Sequence, residues 1–172
     1  YLANGLAPLY DNPHFQRPDY RKMVATITAN PRDGDAIILD APNQEEVFRY
    51  YYHAKAPVYT LPAGLGGDDA QTLASVQEII QQHQRIFVLY WGEAERDPNH
   101  VVENTLDSTT FQAGDDIWYG DVRFTQYVTP VTSMVSEPVN KRFGDSIVLD
   151  RAAISNHTFH AGDVIQVQLE WL

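Results

Sequence analysis

The spacing of apolar and polar positions changes character along this chain. Between residues 18 and 128, stretches with helical spacing alternate with short apolar runs, and beyond residue 130 only two-residue alternation remains. Asp19 caps a first helix in which Tyr20, Met23, Val24 and Ile27 fall at i, i+3, i+4 and i+7, one helical face. Asn30-Pro31 stops it, and Asp33-Gly34 turns the chain into a strand over 36–39. A second helix is predicted from Asn43, with Glu45 and Glu46 in the turn where the helix dipole favours anions, and Val47, Phe48, Tyr51 and Tyr52 directed inward. A strand over 57–61 follows. Asp68-Asp69 opens a third helix with Leu73, Val76, Ile80 and His83 on one face. The run 85–91 is almost continuously apolar, as in a strand covered on both faces. Asp97-Pro98 reads as a cap and a first-turn proline leading into Val101, Val102, Thr105 and Leu106. Strand-like segments around Trp118 and over 122–128 complete the series.

Alternation of helices and strands at this spacing predicts right-handed βαβ units. The expected fold is therefore α/β: a Rossmann-like three-layer sandwich with a mainly parallel sheet over residues 15–129. Residues 1–14 read as a linker. Residues 130–172 read as a β-rich segment in which Ile165, Val167, Leu169 and Trp171 alternate with Gln166, Gln168 and Glu170. That segment is too short for the roughly seven strands of a complete sandwich, so it reads as the start of a truncated β-sandwich module. Both ends are expected to be cuts through a larger polypeptide.

Composition narrows the function classes. The chain has 172 residues, with 12 Lys+Arg against 23 Asp+Glu, a net charge of −11, and no cysteine. The acidic balance excludes nucleic acid as a partner, because such affinity comes mostly from Lys and Arg on phosphates. The lack of cysteine excludes a disulfide scaffold, a thiolate nucleophile and a Cys-based zinc site. No uninterrupted apolar run approaches the length of a membrane-spanning helix.

Several motifs imitate chemistry. Gly144-Asp145-Ser146 with Asp97 and His100 has the residue types of a serine esterase, but the order along the chain is reversed, and a turn is the better reading. Gly64-Leu65-Gly66-Gly67 lies between strand and helix like a phosphate-cradling loop, yet Asp68 and Asp69 at the helix start repel a pyrophosphate. His157, His160 and Asp163 can be drawn as a metal site, but the spacing of the two histidines on a strand sends the rings to opposite faces. Asn156-His157-Thr158 matches a glycosylation acceptor in form only. Tyr50, Tyr51 and Tyr52 span too wide an arc of a helix for all three to be buried, leaving an aromatic platform as an alternative to core packing. No catalytic residue, metal ligand or cofactor is implied. The fold rule for open α/β sheets instead directs a ligand to the carboxyl ends of the strands, at Asp40, Pro62, Gly64, Trp91 and Glu93.

A set of blocks then occurs in a telling order: Arg17-Pro18-Asp19-Tyr20-Arg21, Asp33-Gly34-Asp35-Ala36-Ile37, Phe48-Arg49-Tyr50-Tyr51-Tyr52, Pro57-Val58-Tyr59-Thr60-Leu61-Pro62, Arg85 through Glu93, and Asp97-Pro98 with Val102-Glu103-Asn104-Thr105-Leu106. Together they resemble the soluble carboxyl-terminal domain of bacterial polytopic glycosyltransferases similar to the dolichyl-phosphate-mannose protein mannosyltransferases. Phe143 to Trp171 resembles the start of a β-rich module that follows this domain in some members. The resemblance implies a non-catalytic accessory domain on the extracytoplasmic side of a bacterial membrane, since catalysis in that family belongs to the membrane region. Its implied partners are the membrane-spanning region of the same polypeptide and a glycan or protein acceptor. Two rival readings stay open: a stand-alone enzyme binding a nucleotide or sugar at the same strand ends, and a purely structural interaction module.

Overall fold

The computed structural model describes residues 17–156, 158–160 and 163–172. The linker assigned to 1–14 and His157 of the drawn metal set lie outside them. The chain divides into two compact units, with the division between Thr129 and Pro130.

In the first unit, α1 (Tyr20–Thr28) is capped by Asp19, whose carboxylate accepts from the Lys22 amide, and it buries Tyr20, Met23 and Ile27. Next come β1 (Asp35–Asp40), a short 3-10 turn over Pro42–Gln44, α2 (Glu45–Tyr51) and β2 (Val58–Leu61). They are followed by α3 (Asp69–Gln82), β3 (Arg85–Tyr90), α4 (Glu93–Arg96) and α5 (Val101–Thr109). The unit ends in β4 (Phe111–Gln112), β5 (Ile117–Tyr119) and β6 (Val122–Val128).

The sheet runs β2-β1-β3-β6-β4, with β5 also on β6. Only the β1–β2 and β1–β3 pairings are parallel; β3–β6, β4–β6 and β5–β6 are antiparallel. This overturns the expected Rossmann-like three-layer sandwich with a mainly parallel sheet. The physical reason lies after α5. A parallel return needs a long crossover, whereas Tyr119 and Val122 are joined by Gly120 and Asp121 alone, with Gly120 at φ 70°. A two-residue turn with a left-handed glycine makes a hairpin, and a hairpin is antiparallel. The βαβ rhythm thus covers three strands and then stops.

Apolar residues on both sheet faces explain the continuous runs in β1 and β3, whose six positions are all buried. Ile37, Leu39, Phe87, Leu89 and Phe124 pack with Met23, Ile27 and Phe48 of α1 and α2. Ala36, Ile38, Ile86, Val88 and Tyr90 pack with Val76 and Ile79 of α3 and Val102 and Leu106 of α5. The helices are rotated from the predicted faces in two places. In α3, Leu73 is 40% exposed while Thr72, Val76 and Ile79 are buried. In α2, Val47 is exposed, and its start is Gln44 without a side-chain cap rather than Asn43.

In the second unit, β7 (Val135–Phe143), β8 (Ile147–Ile154) and β9 (Val167–Trp171) form an antiparallel sheet in that order. β7 was invisible in the sequence because Ser136, Glu137, Pro138, Asn140 and Lys141 mask any alternation. A register shift between Pro138 and Lys141 marks a bulge, the usual refuge of proline in an edge strand.

Candidate functional site

Register aligns one residue from each of four strands across the carboxyl end of the parallel segment. Leu61 pairs with Asp40, Asp40 with Tyr90, and Tyr90 with Arg123. Directly paired residues share a sheet face, so all four belong to the face that α3 and α5 cover. The start of α5 supplies the opposite wall. Both carboxylate oxygens of Asp97 are engaged there, accepting from the amides of Val101 and Val102 at 2.9 Å each. Asp97 thus holds the first helical amides, but the helix starts at Val101 with His100 at its cap position, three residues later than Asp97-Pro98 announced, and Pro98 lies in the turn before it and not in the first helical turn. Glu103, one turn further, holds Arg123 at 2.6 Å. The guanidinium of Arg123 also lies over the Tyr90 ring, 4.1 Å from its centroid, and reaches Asp116 at 3.3 Å.

Asp40 is the anomalous member. It is 1% exposed, and its Oδ1 is buried without a hydrogen-bond partner. Its main chain is firmly held: the carbonyl accepts from Trp91 N at 2.8 Å and from Gln44 Nε2 at 3.1 Å. The same Gln44 amide also donates to the Leu89 carbonyl at 3.0 Å, tying the turn after β1 to β3. Burial, reinforced by the negative charges of Asp97, Glu93 and Glu103 and only partly relieved by Arg123, pushes the Asp40 carboxyl from 3.8 up to about 8. The site therefore favours the protonated, neutral form of this side chain far above the ordinary carboxylate range.

The other predicted positions surround it unevenly. Trp91 is half-buried and donates its indole N–H to Asp121 at 2.8 Å, so that β3 and the β5–β6 turn are joined. Glu93 is half-buried in the first turn of α4, after Gly92 at φ 75°. Pro62 is buried directly after β2. Gly64 is exposed, in a loop that is tied back to α4 further on: Arg96 donates to the Leu65 carbonyl at 3.3 Å. A Cβ on Gly66 would collide with the Arg96 carbonyl, and Gly66 has φ 82°, so glycine is required there. The strand ends thus bring Asp40 and Glu93 together, whereas the Trp91 side chain packs on the opposite sheet face, with α1 and α2, and Gly64 belongs to the adjoining loop.

This loop is not built for phosphate. The Asp68 carboxylate accepts from the Gln71 amide at 2.9 Å, and Asp69 is held by Asn99 at 2.8 Å. The amino end of α3 already carries its own anions. The remaining decoys also resolve into structure. Ser146 lies in the turn between β7 and β8, with Gly144 at φ 62°. His160 makes its backbone contact with Asp163 at 2.6 Å, and among the described residues no three His, Cys, Asp or Glu gather as a metal site. Of the three tyrosines, Tyr52 stacks on Phe48 in the core while Tyr50 is 73% exposed.

Sequence reasoning missed Arg123 and Glu103, the charge pair that closes the site. The one signal was an arginine inside a strand whose neighbours Val122 and Phe124 are apolar, which demands a buried or stacked partner. The strand end is a surface rather than a deep hole. The larger described cleft, about 340 Å³, opens at the opposite end of β1, between Ile27, Pro31, Arg32, Asp35, Tyr52 and Lys55. Against known proteins, the chain matches no family model, no curated protein and no solved structure.

Proposed function

We propose that this chain is a non-catalytic, extracytoplasmic accessory domain of a membrane-embedded glycosyltransferase that uses lipid-linked sugar, and that its strand ends hold a glycan or a glycan-bearing acceptor. The observation that carries the ligand reading is the chemistry around Asp40. Asp40 itself is buried; around it the strand ends present the half-buried carboxylate of Glu93 and, on the other sheet face, the half-buried Trp91 ring, so that oxygens and aromatic area share one edge of the sheet. Hydroxyl-rich neutral ligands suit such a surface; phosphates do not, because Asp97, Glu103, Asp116 and Asp121 crowd it with negative charge and Arg123 is already shared between Glu103 and Asp116. That argument favours a sugar over a nucleotide. The membrane and enzyme context rests on the family resemblance of the ordered sequence blocks.

Two experiments test the two parts separately. In an amide NMR titration of the labelled chain with mannobiose, residues 40, 91 and 93 are expected to shift in a saturable manner, with GDP-mannose producing no larger response. Absence of any shift there removes the ligand part. The reading frame upstream of Tyr1 tests the membrane part: eight or more spanning segments support it, and an initiator Met immediately before Tyr1 refutes it.

A further inference from the structure

The second unit carries an apolar sheet face that nothing in its own strands covers. Val167, Leu169 and Trp171 lie on one face of β9 and pair with Ile154, Ala152 and Leu149 of β8. Across β8 the same face continues into β7, where Val135 pairs with Ile154 and Phe143 with Ile147. The opposite face carries Ser136, Arg151, Gln168 and Glu170 and is polar. The pattern is therefore binary, apolar on one side and polar on the other, as in a sheet that packs against a second layer. Yet Val135, Phe143, Ile147, Val167, Leu169 and Trp171 are each 42 to 58% exposed. Among the described residues of this unit, only Ala153 and Gln166 are buried. An isolated layer of three strands with no core needs a cover to be stable.

We propose that this face is the interface of a homodimer, in which two copies pack their three-stranded sheets face to face into a six-stranded sandwich. Two observations choose a second copy as the occupant. The first is area. Those exposed fractions, taken on side chains of roughly 150–250 Å², leave on the order of 600 Å² per copy, so a pair buries about 1,200 Å², the threshold of a specific interface. The second is charge. Among the register-paired residues of that face only Glu137 and Lys141 are charged; they are of opposite sign and lie on β7 on either side of its bulge. Neither has an ion-pair partner among the described residues. A two-fold axis between the sheets, running across the strands, sets β7 against its own copy in reverse. Glu137 of each copy then meets Lys141 of the other, while Phe143 and Trp171, with ring centroids 5.6 Å apart, cover the far end of the copy's sheet. An isologous contact needs such self-complementarity, and this face provides it.

Sedimentation equilibrium of the full chain between about 1 and about 200 µM tests the proposal. The expected result is a reversible dimer. Leu169→Glu is expected to weaken it at least 100-fold. Glu137→Lys alone should weaken it about 10-fold, and Glu137→Lys with Lys141→Glu should return it to within about 3-fold of the original. All are exposed positions, so circular dichroism is expected to be unchanged. A monomer at every concentration overturns the proposal, as does a dimer indifferent to Leu169→Glu or a charge swap that fails to restore association. Partition of the monomer onto phosphatidylcholine vesicles, abolished by Leu169→Glu, would overturn it in favour of lipid.

Discussion

Replacing Asp40 by Asn tests whether the carboxyl at the strand end is held neutral by the fold. In the unfolded chain this group ionises at its ordinary 3.8, and in the folded chain at about 8. Between those values the folded state retains a proton that the unfolded state has released. Stability therefore falls as pH rises through that window, by about 1.4 kcal/mol per pH unit, and the contribution is lost once pH exceeds the folded value. At pH 7 the cost has reached on the order of 4 kcal/mol, a large part of the stability of a small domain. Asn is nearly isosteric and cannot ionise, so the variant escapes that cost. Its amide keeps one oxygen and adds two donors facing Asp97, Glu93 and Glu103, which suits a region short of positive charge.

The assay is urea unfolding between about pH 4 and pH 9, followed by the helical circular-dichroism signal, which the first unit alone supplies among the described residues. The difference between variant and parent isolates Asp40 from other titrations. His83, for instance, acts in the opposite sense: burial lowers its pKa, so its contribution is lost as pH falls below 6.5. The expected result is equal stability near pH 4 and a gap widening with pH in favour of Asp40→Asn. A gap that stays flat across the window, or one that favours the parent at pH 8, refutes the reasoning.

Further outcomes follow from the same geometry. Asp97→Ala removes the acceptor of two amides at a buried helix start and is expected to cost about 2 kcal/mol, read as a lower urea midpoint with unchanged slope. Asp35→Ala leaves the Arg85 guanidinium buried after losing both of its 2.7 Å contacts, and about 3–5 kcal/mol of stability should go with it; Asp35→Ala with Arg85→Met recovers most of that loss in the same assay. Gly66→Ala forces a side chain into a left-handed conformation and against the Arg96 carbonyl, so it should lower the melting temperature, while Gly64→Ala, with open space around it, should cost about 1–2 kcal/mol less.

What could be read from the sequence was local, and what could not was the direction of the return path. Asp19 and Asp68 announced two helix starts correctly because a capping carboxylate acts within three residues, a distance the sequence displays, whereas the start announced at Asp97 falls three residues later, at His100. The apolar runs of β1 and β3 announced buried strands because burial on both faces leaves no other composition. Strand direction is a different matter. It depended on Gly120-Asp121 being a hairpin turn rather than the end of a crossover, and the flanking segments Ile117–Tyr119 and Val122–Val128 look alike under either reading. The error has a consequence for the site. In a parallel sheet the neighbour of Tyr90 would be the carboxyl end of another strand; the antiparallel β6 instead delivers its amino end there, bringing Arg123 beside Tyr90 and Asp121 beside Trp91. The reversed strand therefore puts the arginine in the site and gives Glu103 a partner. Without that partner, Glu103 would add an uncompensated charge beside Asp40, and the carboxyl would be driven still further towards its neutral form. The departure from a parallel sheet and the chemistry of the candidate site thus have one cause, a two-residue turn.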